Sequence, residues 1–110
     1  SPASGLALLD DPALREALAE YHLYHSTRAD LLRRGGLVTE AAEAYEEAAR
    51  RARLPFQRAQ FLSDAGRAWL AAGDTVRARA GYQEIVTQLD STSAAVEAKA
   101  RLGELERGVN

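Results

Sequence analysis

The sequence has no cysteine and no methionine, only one lysine, and no long run of apolar residues. Without cysteine there is no disulfide, no thiolate nucleophile and no zinc site built on sulfur. A membrane-spanning helix needs about 20 mostly apolar residues, so membrane insertion is not expected. Because position 1 is not methionine, we expect the chain to be a processed or excised piece of a longer protein.

An excess of either charge is also missing, since the net charge is −2. Residues 1–55 carry 7 basic and 9 acidic side chains, and residues 56–110 carry 7 of each. Proteins that bind phosphate backbones usually concentrate basic residues on one surface. Direct binding of nucleic acid by this chain is therefore not expected.

Helix-forming residues dominate what is present. Alanine fills 23 of the 110 positions, arginine outnumbers lysine 13 to 1, and there are three prolines. Alanine, leucine, arginine and glutamate are the residues most easily held in a helix. The length fits one domain, and the composition predicts an all-α fold.

Proline and glycine divide this single domain, residues 1–110, into segments. Asp10-Asp11-Pro12 is typical of a helix start, and Gly35-Gly36 of a helix end. Thr39 or a neighbour should begin the second helix, and Asp74 or Thr75 should cap the fourth. Pro55 is expected to separate two helical hairpins. The predicted segments are a linker or short helix (residues 1–10), hairpin 1 (11–54), hairpin 2 (56–90) and a capping helix (93–107), with five main helices.

An internal repeat is the strongest signal. A shift of 37 residues superposes Gly36 on Gly73 and Tyr45 on Tyr82. Residues 59–90 contain Leu62-x2-Ala65-Gly66-x2-Trp69 followed by Ala78-x3-Tyr82, which resembles the tetratricopeptide repeat. The resemblance implies a short right-handed superhelix of antiparallel hairpins, about two and a half repeats long. Gly66 is expected to mark the closest approach of two helices, and Tyr82 to fill the space between them.

A second resemblance covers residues 5–62. Residues 5–10, 21–35, 43–48 and 60–62 are similar to the tetratricopeptide-like C-terminal extension of bacterial extracytoplasmic-function sigma factors. The sequence departs from that family at Gly36-Leu37, where Gly-Arg is usual, and after residue 62 it resembles only a generic repeat. This resemblance implies a cytoplasmic regulatory domain that packs on other domains of its own chain.

Chemistry-bearing motifs are few. His22 and His25 lie three residues apart on a predicted helix, and Asp30 follows about one turn later. Two imidazoles alone make a poor metal site, and His25 is better explained as a histidine at a helix interface. The carboxylates of Glu43, Glu46 and Glu47 fit a solvated charged face paired with arginines. No nucleotide or nucleophile motif occurs. The chain is therefore predicted to be neither an enzyme nor a cofactor-binding or metal-binding protein.

The remaining candidate site is a groove. In tetratricopeptide proteins the first helix of each hairpin lines the concave side, and arginines there suit a carboxylate or an extended peptide backbone. The alternative is that these arginines only keep an exposed helix face solvated. The predicted groove residues are Ser26, Asp30, Arg33, Arg34, Gln60, Ser63 and Arg67; further positions on the same faces are Leu23, Leu70, Glu97, Ala100, Glu104 and Arg107.

Two classes of function remain. The first is a module that binds a protein or peptide, including the regulatory C-terminal domain of a sigma-factor-like transcription regulator. The second is a self-associating scaffold or a periplasmic domain tethered to a membrane by an upstream helix. The oligomeric state is left open by the sequence.

Overall fold

The chain is built of helices joined by short turns. The computed structural model describes residues 11–108, without the side chains of Leu14, Leu18 and His22. Within this range there is no strand, and the all-α class is confirmed. The helices of this range are α1 (Pro12–Arg34), α2 (Val38–Arg51), α3 (Pro55–Ala71), α4 (Thr75–Gln88) and α5 (Ala94–Glu106).

Two helix starts follow local capping chemistry. The Asp11 carboxylate accepts a hydrogen bond from the Ala13 N–H at 3.0 Å, and the Asp74 carboxylate accepts one from the Arg77 N–H at 3.0 Å. Asp74, and not Thr75, is therefore the cap of α4. Pro55 lies at the boundary between the two hairpins as the first residue of α3, where a missing N–H costs little.

The two hairpins turn in the same way. Gly36 and Gly73 have φ of 81° and 82°, a left-handed conformation that favours glycine. The N–H of the residue after each glycine donates to a carbonyl five residues earlier, Leu37 to Leu32 and Asp74 to Trp69, both at 2.9 Å. These bonds satisfy carbonyls at the helix end. The 37-residue repeat is thus reproduced in backbone geometry.

The centre of the molecule is α3, which packs against α2, α4 and α5. Its Phe61 ring also lies 6.1 Å from the rings of Tyr21 and His25 on α1. Phe61 and Trp69 are fully buried, together with Tyr82 of α4. The core therefore lies around α3.

One close approach in this core is between Gly66 and Tyr82. A Cβ atom on Gly66 would lie 2.5 Å from Cζ of the Tyr82 ring, which is far inside van der Waals contact. The aromatic ring therefore occupies the space that a side chain on α3 would need. This confirms that Gly66 marks a close approach of two helices and that Tyr82 fills the space between them.

Candidate functional site

The predicted groove is found only in part. Arg33 and Arg67, one from α1 and one from α3, line a single cavity of about 170 Å³. The other residues that line it are Tyr45, Asp64, Ala68 and Ala71. Arg33 and Arg67 therefore lie on the same cavity. The predicted groove residues that do not line this cavity are Ser26, Asp30, Arg34, Gln60 and Ser63.

The arginines of this groove are held by acidic side chains of the same chain. Asp30 pairs with both Arg33 and Arg34, the latter at 3.0 Å. Arg67 pairs with Asp64, whose carboxylate also accepts a hydrogen bond from the Gln60 amide at 3.2 Å. An incoming carboxylate would have to displace these partners. The groove is consequently a poor receptor for an acidic peptide.

Arg67 also belongs to a network that joins α3 to α5. It donates to both carboxylate oxygens of Glu97 at 2.8 Å, and the Ser63 hydroxyl donates to the same carboxylate at 2.7 Å. Burial raises the pKa of Glu97, but the hydrogen bonds from Ser63 and Arg67 and the charge of Arg101 outweigh burial and hold that pKa below its usual value. The network binds two helices together.

The expectation that Ser63 faces a partner is wrong, because Ser63 is buried. Its hydroxyl lies at the α3–α5 contact, where it bridges to Glu97. Ser63 was expected to be exposed because it lies on the first helix of hairpin 2. Helix α5, which follows that hairpin, covers this part of α3. The role of Ser63 is therefore structural.

His25 lies among aromatic rings. Its ring centroid is 4.5 Å from that of Tyr21 and 5.0 Å from that of Tyr24. Burial, followed by the charges of Arg28 and Arg51, holds the pKa of His25 below its usual value. The described residues contain no group of three potential metal ligands, and the predicted partner His22 lies outside the described side chains.

The charged face of α2 differs in one detail from the expectation. Glu47 pairs with Arg51 at 3.0 Å, as the helical spacing predicted. Glu46 instead accepts a hydrogen bond at 3.1 Å from the indole N–H of Trp69, a contact between α2 and α3. Its carboxylate therefore serves to anchor the buried tryptophan.

A different surface carries the exposed apolar residues. Leu23, Tyr24 and Leu31 of α1 are 65%, 64% and 63% exposed, and Leu37 in the following turn is 46% exposed. These four residues, called the α1 face below, surround a concavity of about 590 Å³. Its wall is completed by Glu20, Thr27, Arg28 and Leu32. Contiguous exposed apolar surface of this kind is typical of an interaction site.

A polar notch adjoins the α1 face. It has a volume of about 310 Å³ and shares Tyr24 and Arg28 with the apolar concavity. His25, Glu47 and Arg51 complete it. The α1 face is therefore apolar at its centre, and the notch at its edge holds Arg28 beside the ion pair of Glu47 with Arg51.

The sequence contained a signal for the α1 face that the groove prediction missed. Tyr21, His25 and Ala29 are spaced four residues apart on the side of α1 that packs inward. Leu23, Thr27 and Leu31 follow the same four-residue spacing on another side of the helix. Only Leu23 was singled out, and only as a groove position.

Comparison with family models, curated proteins and solved structures finds no match to this chain. None of the described helices combines the length and apolarity needed to cross a bilayer.

Proposed function

We propose that the chain is a tetratricopeptide-like module that binds another protein surface through the α1 face. The observation that carries this proposal is the clustering of Leu23, Tyr24, Leu31 and Leu37 around one concavity, outside the core. Exposed apolar residues that stand singly need no explanation, but a contiguous set does. The arginine groove is the weaker candidate, because its cations already have acidic partners.

Two observations support the tetratricopeptide likeness. The turns at Gly36 and Gly73 share one geometry at the repeat spacing, and Gly66 meets Tyr82 where the repeat places a small residue against a large one. The link to sigma-factor extensions, and with it a cytoplasmic regulatory role, rests on the resemblance of residues 5–62. Its test is the coding sequence upstream of Ser1. Sigma-type promoter-binding helices there would support it, whereas a signal or membrane segment would favour the periplasmic scaffold.

The interaction itself is tested by site-specific photo-crosslinking. A benzophenone amino acid is placed at Leu23 or Leu31, and, as matched controls, at Val76 or Val96, which are as exposed on α4 and α5. After irradiation in cells that produce the protein, we expect protein adducts from positions 23 and 31 and none from 76 and 96. Equal labelling from all four positions, or no adduct from α1, would overturn the proposal.

A further inference from the structure

The α1 face has a counterpart that is covered. Tyr24 stands one 37-residue repeat before Phe61, and Leu31 one repeat before Ala68. Phe61 and Ala68 are buried in α3, and the rings of two α1 residues lie against Phe61. At the equivalent positions of α1, Tyr24 and Leu31 are exposed. This is therefore a face that other helices cover elsewhere in the same chain.

The charges along the face have a symmetric spacing. Glu20 and Arg28 both line the concavity, one four residues before Tyr24 and the other four residues after it. Residues four apart share a helix face, about 6 Å apart along the axis. Neither charge forms an ion pair with another described residue. The face thus has an acid at one end, a base at the other and an aromatic ring between them.

We infer that the occupant of the α1 face is the α1 face of a second copy of this chain, laid antiparallel about a two-fold axis through Tyr24. This inference rests on the proposed function and names its partner. A two-fold axis makes each contact occur twice. Glu20 of each copy would meet Arg28 of the other, while Leu23 and Tyr24 of the two copies would pack against one another beside the axis.

The test uses charge reversal, since opposite charges fix register and like charges oppose association. Sedimentation velocity is measured from low to high micromolar concentration for wild type, E20R and R28E. Wild type should form a reversible dimer, and each single variant should raise the dimer dissociation constant at least about tenfold. E40R, a charge reversal at an exposed site on α2, should leave the dimer unchanged.

Two combinations make the register specific. In a mixture of E20R with R28E, both contacts between positions 20 and 28 join a base on the E20R copy to an acid on the R28E copy. The heterodimer should therefore form although each variant alone does not, and the double variant E20R/R28E should also dimerise. Circular dichroism melts of all variants should match wild type, since both positions are exposed. Failure of the mixture to associate would overturn the antiparallel register.

The outcomes separate this inference from the proposed function. A chain that stays monomeric at all concentrations, with adducts from Leu23 to a different protein or to another part of its own chain, overturns the dimer and leaves the interaction function standing. The absence of any adduct from Leu23 and Leu31 overturns both. Adducts between two copies, together with dimers restored by mixing E20R and R28E, support both.

Discussion

Two helices one repeat apart, α1 and α3, differ sharply in how much they bury. The 17-residue helix α3 has nine buried residues, whereas among the described side chains of the 23-residue helix α1 only Ala29 is buried. Helix α3 has α2, α4 and α5 around it, but α1 packs against α2 and touches α3 at one side. The same repeat position is therefore core or surface according to the helices that pack against it.

The largest expected effect comes from removing a tyrosine side chain from the core around α3, compared with removing one from the surface of α1. Tyr82→Ala should lower the free energy of unfolding by about 3–5 kcal/mol, because it leaves a cavity in the core. Tyr24→Ala should change it by no more than about 0.5 kcal/mol, since its ring is mostly exposed. Urea denaturation of dilute protein measures both. Similar losses would show that the surface of α1 is packed as tightly as the core around α3.

A smaller effect is expected from the helix contact itself. Gly66→Ala puts a methyl group against the Tyr82 ring and should lower the free energy of unfolding by about 1–3 kcal/mol. This loss comes despite the higher helix propensity of alanine. In the control Gly103→Ala, the new methyl would meet only the flexible end of Arg107, so stability should stay the same or rise. The melting temperature should therefore fall for Gly66→Ala and stay the same or rise for Gly103→Ala. Equal shifts in melting temperature would contradict the close approach of Gly66 to Tyr82.

The arginines of the predicted groove should also differ between the two regions. Arg67→Ala breaks the contacts with Asp64 and Glu97 and should lower the free energy of unfolding by about 1–2 kcal/mol. Arg34→Ala removes one exposed ion pair with Asp30 and should cost about 0.5 kcal/mol or less. Denaturant titration checks both values. A denaturation midpoint unchanged by Arg67→Ala would mean that Arg67 is free to bind a partner.

The smallest expected effect is a pH dependence. Because the folded state holds the pKa of Glu97 below its ordinary value of 4.5, the ionised carboxylate stabilises the fold above that pH. This contribution is lost as the pH falls through the lower, folded-state pKa. Glu97→Gln should flatten stability-against-pH curves in this acidic range, while the exposed control Glu43→Gln should not. Parallel curves for wild type and Glu97→Gln would exclude this role.

Much of the fold could be predicted because it depends on contacts near in sequence. Gly36 and Gly73 adopt the left-handed conformation that ends a helix, and Asp74 caps the start of α4. Each of these residues acts on residues within one or two helical turns of itself. The role of Gly66 could be predicted as well, because the repeat relates it to Tyr82 at a known distance along the chain.

The candidate site could be predicted much less well. Arg67 has the spacing of a groove residue, but its partner Glu97 lies 30 residues away on α5. Ser63 looked exposed by its position, yet the packing of α5 covers it. The pairs of Asp30 with Arg34 and of Asp64 with Arg67 have helical spacing. The pairing of Arg67 with Glu97 depends instead on which helices meet, and helix periodicity carries no such information.

Local backbone preference and the internal repeat specify the helices, their turns and the contact of Gly66 with Tyr82, so these features follow from the amino-acid sequence. Which helix faces are covered depends instead on how the helices pack. The free energy of an apolar or charged side chain depends on whether another element removes it from water, and that element is often distant in sequence. For that reason Phe61 is core, Arg67 is paired, and Tyr24 with its leucines remains on the surface.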